Sequence, residues 1–197
     1  MKIIGLCGRS GSGKGTVSSI FNSLGIPSID TDAVYHELTN SISDCTRALA
    51  LEFGEDILFN DGSLNRRALA TVVFNDENKR LSLNKIAHKF VLDECRRRIS
   101  IFEDEGNSAV IVDAPLLFES GFDKECDLLV CVTSDEQARI NRIVSRDSIS
   151  TQQAMARIAS QLTDDYLISH CDFVIQNDSD FVSLEATVKT VAEKILC

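Results

Sequence analysis

The chain has 197 residues, 44% of them apolar and 25% charged, which suits one globular domain and excludes a disordered or fibrous chain. Its net charge of −10 argues against broad binding to nucleic acid or acidic membranes, so an anionic ligand must meet a local cluster of cations. The apolar runs are too short for a membrane span and MKIIGLCG lacks a basic start and a cleavage site, while the seven scattered cysteines, with no C-x-x-C pair, read as reduced thiols of a cytoplasmic protein.

KIIGLC, Lys2 to Cys7, is a short apolar run that predicts a buried strand. GRSGSGKGT, Gly8 to Thr16, follows it, and TVSSIFNSLG then repeats apolar residues at Val17, Ile20, Phe21 and Leu24 with helical spacing before Gly25 stops the pattern. Strand, glycine loop and helix together give the context that a G-x-x-x-x-G-K phosphate loop requires. In such a loop glycines let backbone N–H groups turn inward and the helix presents its positive end, which makes Gly11, Ser12, Gly13, Lys14, Gly15 and Thr16 the candidate ATP-binding residues. Gly15 stands where Ser or Thr usually binds magnesium, so Thr16, one place later, is the candidate metal ligand. Arg9 occupies a position where a small residue is expected and faces either phosphate or solvent.

IPSID predicts a second short strand, and AVYHEL starts a helix after Asp30-Thr31-Asp32. Phosphoryl transfer to a hydroxyl needs positioned cations and a carboxylate to accept the proton. On the residues alone Asp32 is either that base or a helix cap, and Asp30 is a cap or turn residue. RALALEF, NRRALATVVF and LSLNKIAHKFVLDECRRRISIF then predict a helical insertion over about 33–105, broken by a turn at FNDGS. Within it Arg66 and Arg67 after the turn, or Arg96 to Arg98 at the end of the long helix, are candidates for substrate phosphates, with a surface role the alternative for the second group, and His36 and His88 are candidate substrate contacts.

SAVIVD and CDLLVCV are continuous apolar runs, as strands buried on both faces of a parallel sheet require. Asp113 closes the first of them and is a candidate to hold magnesium, with capping as the alternative; Leu117 in VDAPLLFE is a further candidate substrate contact. Helices over about Glu136 to Arg146 and Thr151 to Gln161, a fifth strand at DFVIQN and a final helix at LEATVKTVAEKIL complete a three-layer α/β arrangement with a five-stranded parallel sheet. Arg139, Arg142 and Arg146 recur on one helix and Arg157 lies on the next. Arg142, Arg146 and Arg157 either fold over a nucleotide as a lid or form a solvated face paired with Asp135 or Asp147.

Taken in order, GRSGSGKGT, DTDAVYHEL, FGEDILFNDGSLNRRAL, LNKIAHKFV, VDAPLLFESG, CDLLVCV, RIASQ and CDFVIQN resemble the dephospho-CoA kinase family across essentially the whole chain. The resemblance implies a single P-loop kinase domain: a core of 1–32, 106–144 and 164–197, a helical CoA-binding insertion of about 33–105, and a helical lid of about 145–163. It implies Asp32, Lys14 and Arg146 as catalytic residues, Arg157 with Arg146 as lid arginines, and MgATP with dephospho-CoA as the partners of a monomer or weak homo-oligomer; Arg142, from its place on the same helix face, joins Arg157 as a candidate ATP contact. Three departures stand out: His36 where the family often has Arg, Lys89 where it often has Pro, and the acidic TDDYLISH where a basic residue follows RIASQ. The glycine-arginine substrate segment of a nucleoside monophosphate kinase is absent, whereas SLNRRAL and VDAPLLFE have a ready place in dephospho-CoA kinases, and a GTP-binding switch would need an N-K-x-D segment where the chain reads CVTSDEQ.

Overall fold

A computed structural model describes residues 1–74 and 76–196, and it divides the chain into two compact units, Met1–Ile29 with Ile99–Cys197, and Asp30–Arg98. In chain order the main elements are β1 (Lys2–Cys7), α1 (Lys14–Ser23), β2 (Ser28–Asp30), α2 (Thr31–Thr39), α3 (Asp44–Phe53), α4 (Arg66–Val73), α5 (Glu77–Asp104), β3 (Ala109–Asp113), β4 (Leu128–Thr133), α6 (Glu136–Asp147), α7 (Thr151–Ala159), α8 (Asp164–His170), β5 (Phe173–Gln176) and α9 (Phe181–Leu196).

The strands form one parallel sheet in the order β2-β3-β1-β4-β5, so the sequence reverses direction of travel around β1. In open parallel sheets the crevice beyond the carboxyl ends at such a point is where ligands bind. Residues alternate across the sheet: Ile4, Leu6, Ile111, Val130, Val132 and Ile175 face Val17, Ile20 and Phe21 of α1 and Leu184, Val188, Val191 and Ile195 of α9 in one core. Phe21 in that core is fully buried, a burial worth roughly 1.5–3 kcal/mol. On the opposite side Gly5 leaves space that Leu117 and Leu129 fill; a Cβ there would stand 2.8 Å from a methyl of each.

The helical unit has its own core, in which Cys45, Leu49, Ile57, Leu64, Leu69 and Val73 gather with Tyr35 and Leu38 of α2. Its helices are capped as their sequences suggest. Ser43 and Thr46 form a reciprocal capping box on α3, Asn65 caps α4, and Asp76 accepts from the Lys79 amide in the first turn of α5. The FNDGS turn closes through Asp61, whose carboxylate accepts from both the amide and the hydroxyl of Ser63.

Candidate active site

The phosphate loop joins β1 to α1, and two of its glycines are required by space as well as by backbone angle. Gly11 and Gly13 have φ of 79° and 92°, in the left-handed region. A Cβ on Gly11 would stand 2.6 Å from the Arg139 carbonyl oxygen, and one on Gly13 would collide with the Asn177 side-chain amide. No side-chain capping hydrogen bond closes the N-terminus of α1, which leaves that positive helix end to anions. Lys14 extends from the first turn to the carboxylate of Asp113 at the end of β3.

The back of the loop is held by side chains from α6 and from the segment after β5. Arg142 of α6 donates to the Gly11 carbonyl at 3.0 Å, the Ser12 carbonyl at 3.4 Å, the Ser134 hydroxyl at 3.0 Å and the Asn177 carbonyl at 3.0 Å. Asn177, just past β5, donates from its amide to the Ser12 carbonyl at 2.8 Å in a buried setting. Asp178 accepts from the Asp135 amide and the Ser134 hydroxyl, and these donors hold its carboxyl below the usual range. Arg142 is thus part of the frame that fixes the loop backbone.

Arg9 turns to neither phosphate nor open solvent. Its guanidinium donates to the Ile158 carbonyl at 2.6 Å and pairs with Asp164 at 3.3 Å, while Ser10 donates its amide to the Gln161 side chain at 2.9 Å. Asp164 also takes two bonds from the buried Arg139, at 2.9 and 2.7 Å. Asp164, the first of the two aspartates in TDDYLISH, therefore has its cations supplied by the phosphate loop and α6. The segment following α7 is joined to that loop through side chains on both.

Arg146 and Arg157 share one carboxylate. Arg146 binds Asp147 through two nitrogens, at 2.7 and 3.0 Å, and Arg157 pairs with the same residue from α7. The two guanidinium groups hold the Asp147 carboxyl well below its ordinary value. Leu117 is fully buried in the packing over Gly5.

In the helical unit Asp30 caps α2, its carboxylate accepting from the amides of Asp32 and Ala33 at 2.9 and 3.1 Å. Asp32 sits in the first turn with an exposed side chain, and His36 is exposed one turn further along. Arg66 donates to the Thr39 hydroxyl at 2.8 Å and the Asn40 side chain at 3.0 Å. His88 on α5 is half-buried, and that burial pushes its pKa below 6.5. Asn177, Asp164 and Gln161 are the residues around the loop that sequence reasoning missed. For Asn177 a signal existed, since it directly follows a strand on the side of the sheet where ligands bind.

A glycine loop, an uncapped helix end and a lysine over a strand-end aspartate, on five parallel strands, define a P-loop kinase. Solved structures share this fold: dephospho-CoA kinase from Campylobacter jejuni aligns with a TM-score of 0.72 at 24% identity, over 98% of this chain and 96% of that one. Shikimate kinase from Acinetobacter baumannii aligns with a TM-score of 0.58 at 15% identity, over 100% and 93%. The family profile described as dephospho-CoA kinase matches residues 2–183, and a dephospho-CoA kinase from Bacillus cereus is 36% identical over 192 residues, 98% of this chain and 96% of the relative. The chain belongs to the dephospho-CoA kinase family and is an ATP-dependent phosphotransferase.

Proposed function

We propose that Lys14 and the amides of the phosphate loop grip the β- and γ-phosphates of ATP while Asp32 takes the proton from the attacking hydroxyl. The reaction is the family's own: the γ-phosphoryl of ATP passes to the ribose 3′-hydroxyl of dephospho-CoA, giving CoA and ADP. The observation that carries the division of labour is the pair of aspartates before α2. Asp30 accepts from the amides of Asp32 and Ala33 and so takes the capping role, which leaves the exposed Asp32 carboxylate outside it and able to accept a proton.

Charge on the transferred group is the other requirement, because catalysis of phosphoryl transfer is mainly positioning and electrostatic stabilisation. Arg146 and Arg157 supply mobile cations, and they exchange their bonds to Asp147 for bonds to phosphate oxygens as the lid of about 145–163 closes. Arg142 contributes by holding the loop's carbonyls so that the amides point to ATP. His36, Arg66 and His88 belong to the dephospho-CoA side, in the helical insertion of about 33–105.

Magnesium enters with ATP. The residues present fit it: the Thr16 hydroxyl is exposed at the start of α1, and Asp113 offers a carboxylate next to Lys14. Magnesium keeps several waters and takes one or two protein oxygens together with substrate phosphates, which is the donor set available here. When bound, it would neutralise the charge that develops on the transferred phosphoryl group.

The test is Asp32→Asn. ADP release with dephospho-CoA should fall about 10²–10⁴-fold while ATP affinity is retained. Unchanged turnover would remove Asp32 as the base. Offering dephospho-CoA, AMP, adenosine and shikimate separately tests the acceptor, and turnover on AMP alone would refute it.

A further inference from the structure

Three thiols that phosphoryl transfer does not use converge beneath the phosphate loop. Cys7 ends β1 one residue before Gly8, Cys131 stands beside it in register on β4, and Cys171 follows α8 and leads into β5. Strand alternation sends Cys7 and Cys131 to the face opposite Leu6 and Val130, whose side chains lie in the core under α1 and α9. Cys171 meets them on that face, with its Sγ 3.5 Å from the Sγ of Cys7.

The three differ in access. Cys7 and Cys131 are buried, whereas Cys171 is partly exposed. Cys7 also borders a narrow cleft lined by Arg9, Phe118, Gln161 and Leu167. Among the described residues no trio of His, Cys, Asp or Glu has the arrangement of a metal site, so the convergence is not a metal centre.

We propose that Cys171 and Cys7 form a thiol-oxidation site that closes to a disulfide on exposure to a hydroperoxide. Hydrogen bonds from the Cys131 and Cys7 thiols hold the Cys171 sulfur well below the usual thiol pKa, and the Cys7 thiol is pushed up by its bonds to Cys131 and Cys171 and by burial. Cys171 is the partly exposed member of the group and so the thiol that meets the peroxide, and the buried Cys7, 3.5 Å away, is the resolving thiol. The Cys171 thiolate attacks one oxygen of hydrogen peroxide, the O–O bond breaks, and with one proton taken up the products are a sulfenic acid and water. The Cys7 sulfur then displaces the hydroxyl from Cys171, its own proton leaving with it as a second water. Two thiols lose two electrons and one peroxide is reduced.

Bonded sulfurs sit about 2.05 Å apart, so this pair must draw roughly 1.5 Å closer. Cys7 has little freedom to move alone, because it is 2% exposed and held in the last ladder position of β1 beside Cys131. Closing the bond therefore displaces the entrance to the phosphate loop. A misplacement of about 1 Å at a phosphate-binding backbone is enough to cost tenfold or more in rate.

The full-length protein treated with hydrogen peroxide should yield a Cys7–Cys171 linked peptide on non-reducing digestion. ADP release with dephospho-CoA should fall about tenfold over the same time course and recover with dithiothreitol. Cys171→Ser should keep its activity in peroxide and give no linked peptide. Absence of the linked peptide, a link from Cys171 to Cys131 instead, or equal inactivation of Cys171→Ser would overturn the proposal. Native wild-type protein given limiting iodoacetamide supplies a measurement independent of any variant: Cys171 should be alkylated ahead of Cys7, Cys45, Cys95, Cys126 and Cys131, and earlier reaction at any of these five would equally overturn it. The linked peptide and the alkylation order are chemical readouts that do not depend on the acceptor substrate.

Discussion

Arg139 on α6 and Arg97 on α5 are both paired with carboxylates, yet the two pairs do different jobs. Arg139 is 2% exposed; it reaches Asp164 through two bonds, and its own backbone carbonyl lies against Gly11 of the phosphate loop. Arg97 stands on the outside of its helix, bonded to Glu94 one turn away, in the company of Arg47–Asp44, Arg96–Asp93 and Lys89–Asp93 pairs of the same short spacing. Among the described residues the helical unit carries most of its ion pairs as exposed local ones, each worth a few tenths of a kcal/mol, with Arg98–Glu37 a long-range exception, while the sheet unit buries a few cations under the nucleotide loop. Buried charge is costly, and it persists here where it fixes a backbone that must present amides to phosphate. In the sheet unit it specifies geometry; in the helical unit it trims stability.

Breaking the buried frame should have the largest effects. Gly13→Ala drives a methyl into the Asn177 amide at a left-handed backbone position, and ATP affinity should fall at least about 100-fold. Gly15→Ala, three residues or fewer from the same contacts but with nothing within 4 Å of its added Cβ, should bind ATP within a few-fold of the parent. Isothermal titration on both variants separates a loop that tolerates side chains from one that is filled from behind. Asp164→Ala comes next. It leaves the buried Arg139 without its carboxylate and Arg9 with only the Ile158 carbonyl, which should cost roughly 2–3 kcal/mol, the low end for a broken buried pair because Asp164 is itself partly exposed. A fall of about 5–10 °C in thermal midpoint by calorimetry is expected, and a change under 2 °C would show that this pair is no more important than the surface ones.

How much of this was readable beforehand follows the same division. The strand, loop and helix at Lys2–Ser23 were legible because the signal is local: an apolar run, glycines at fixed spacing, then a helical period ending at Gly25. The same holds for the helices of the second unit, whose caps lie beside them in sequence. Asp30 could be separated from Asp32 only in the structure, since either fits a cap by residue type. Arg142 and Arg146, four apart, share a helix face, but their partners diverge: Arg142 turns back to carbonyls at Gly11 and Ser12, and Arg146 outward to Asp147. Arg9 meets partners 149 and 155 residues away, which no periodicity encodes. Helix α8 went unread because its seven residues bury only Leu167, too few for a helical pattern, although Thr163 followed by Asp164 and Asp165 is a start signal that its cap confirms.

The smallest effect sharpens the exposed side of the comparison and carries a pH signature. Glu94 accepts from Arg97 at 2.7 Å and from Arg98 at 2.8 Å, and these bonds, Arg97's first, lower its carboxyl pKa to about 2. A carboxyl that holds its proton less tightly when folded adds stability that is complete above its unfolded value near 4.3 and is lost as the pH falls through about 2. Because Arg97 is mostly solvated, the contribution at neutral pH is discounted to roughly 0.5–1 kcal/mol. Glu94→Gln should therefore unfold about 1–3 °C below the parent at pH 7. The gap should narrow steadily in melts taken from pH 4.5 down to pH 2.5, as protonation of the parent removes what the substitution had already removed. A gap independent of pH would assign the loss to packing along α5, and the helical unit's charges would then be dispensable to its stability.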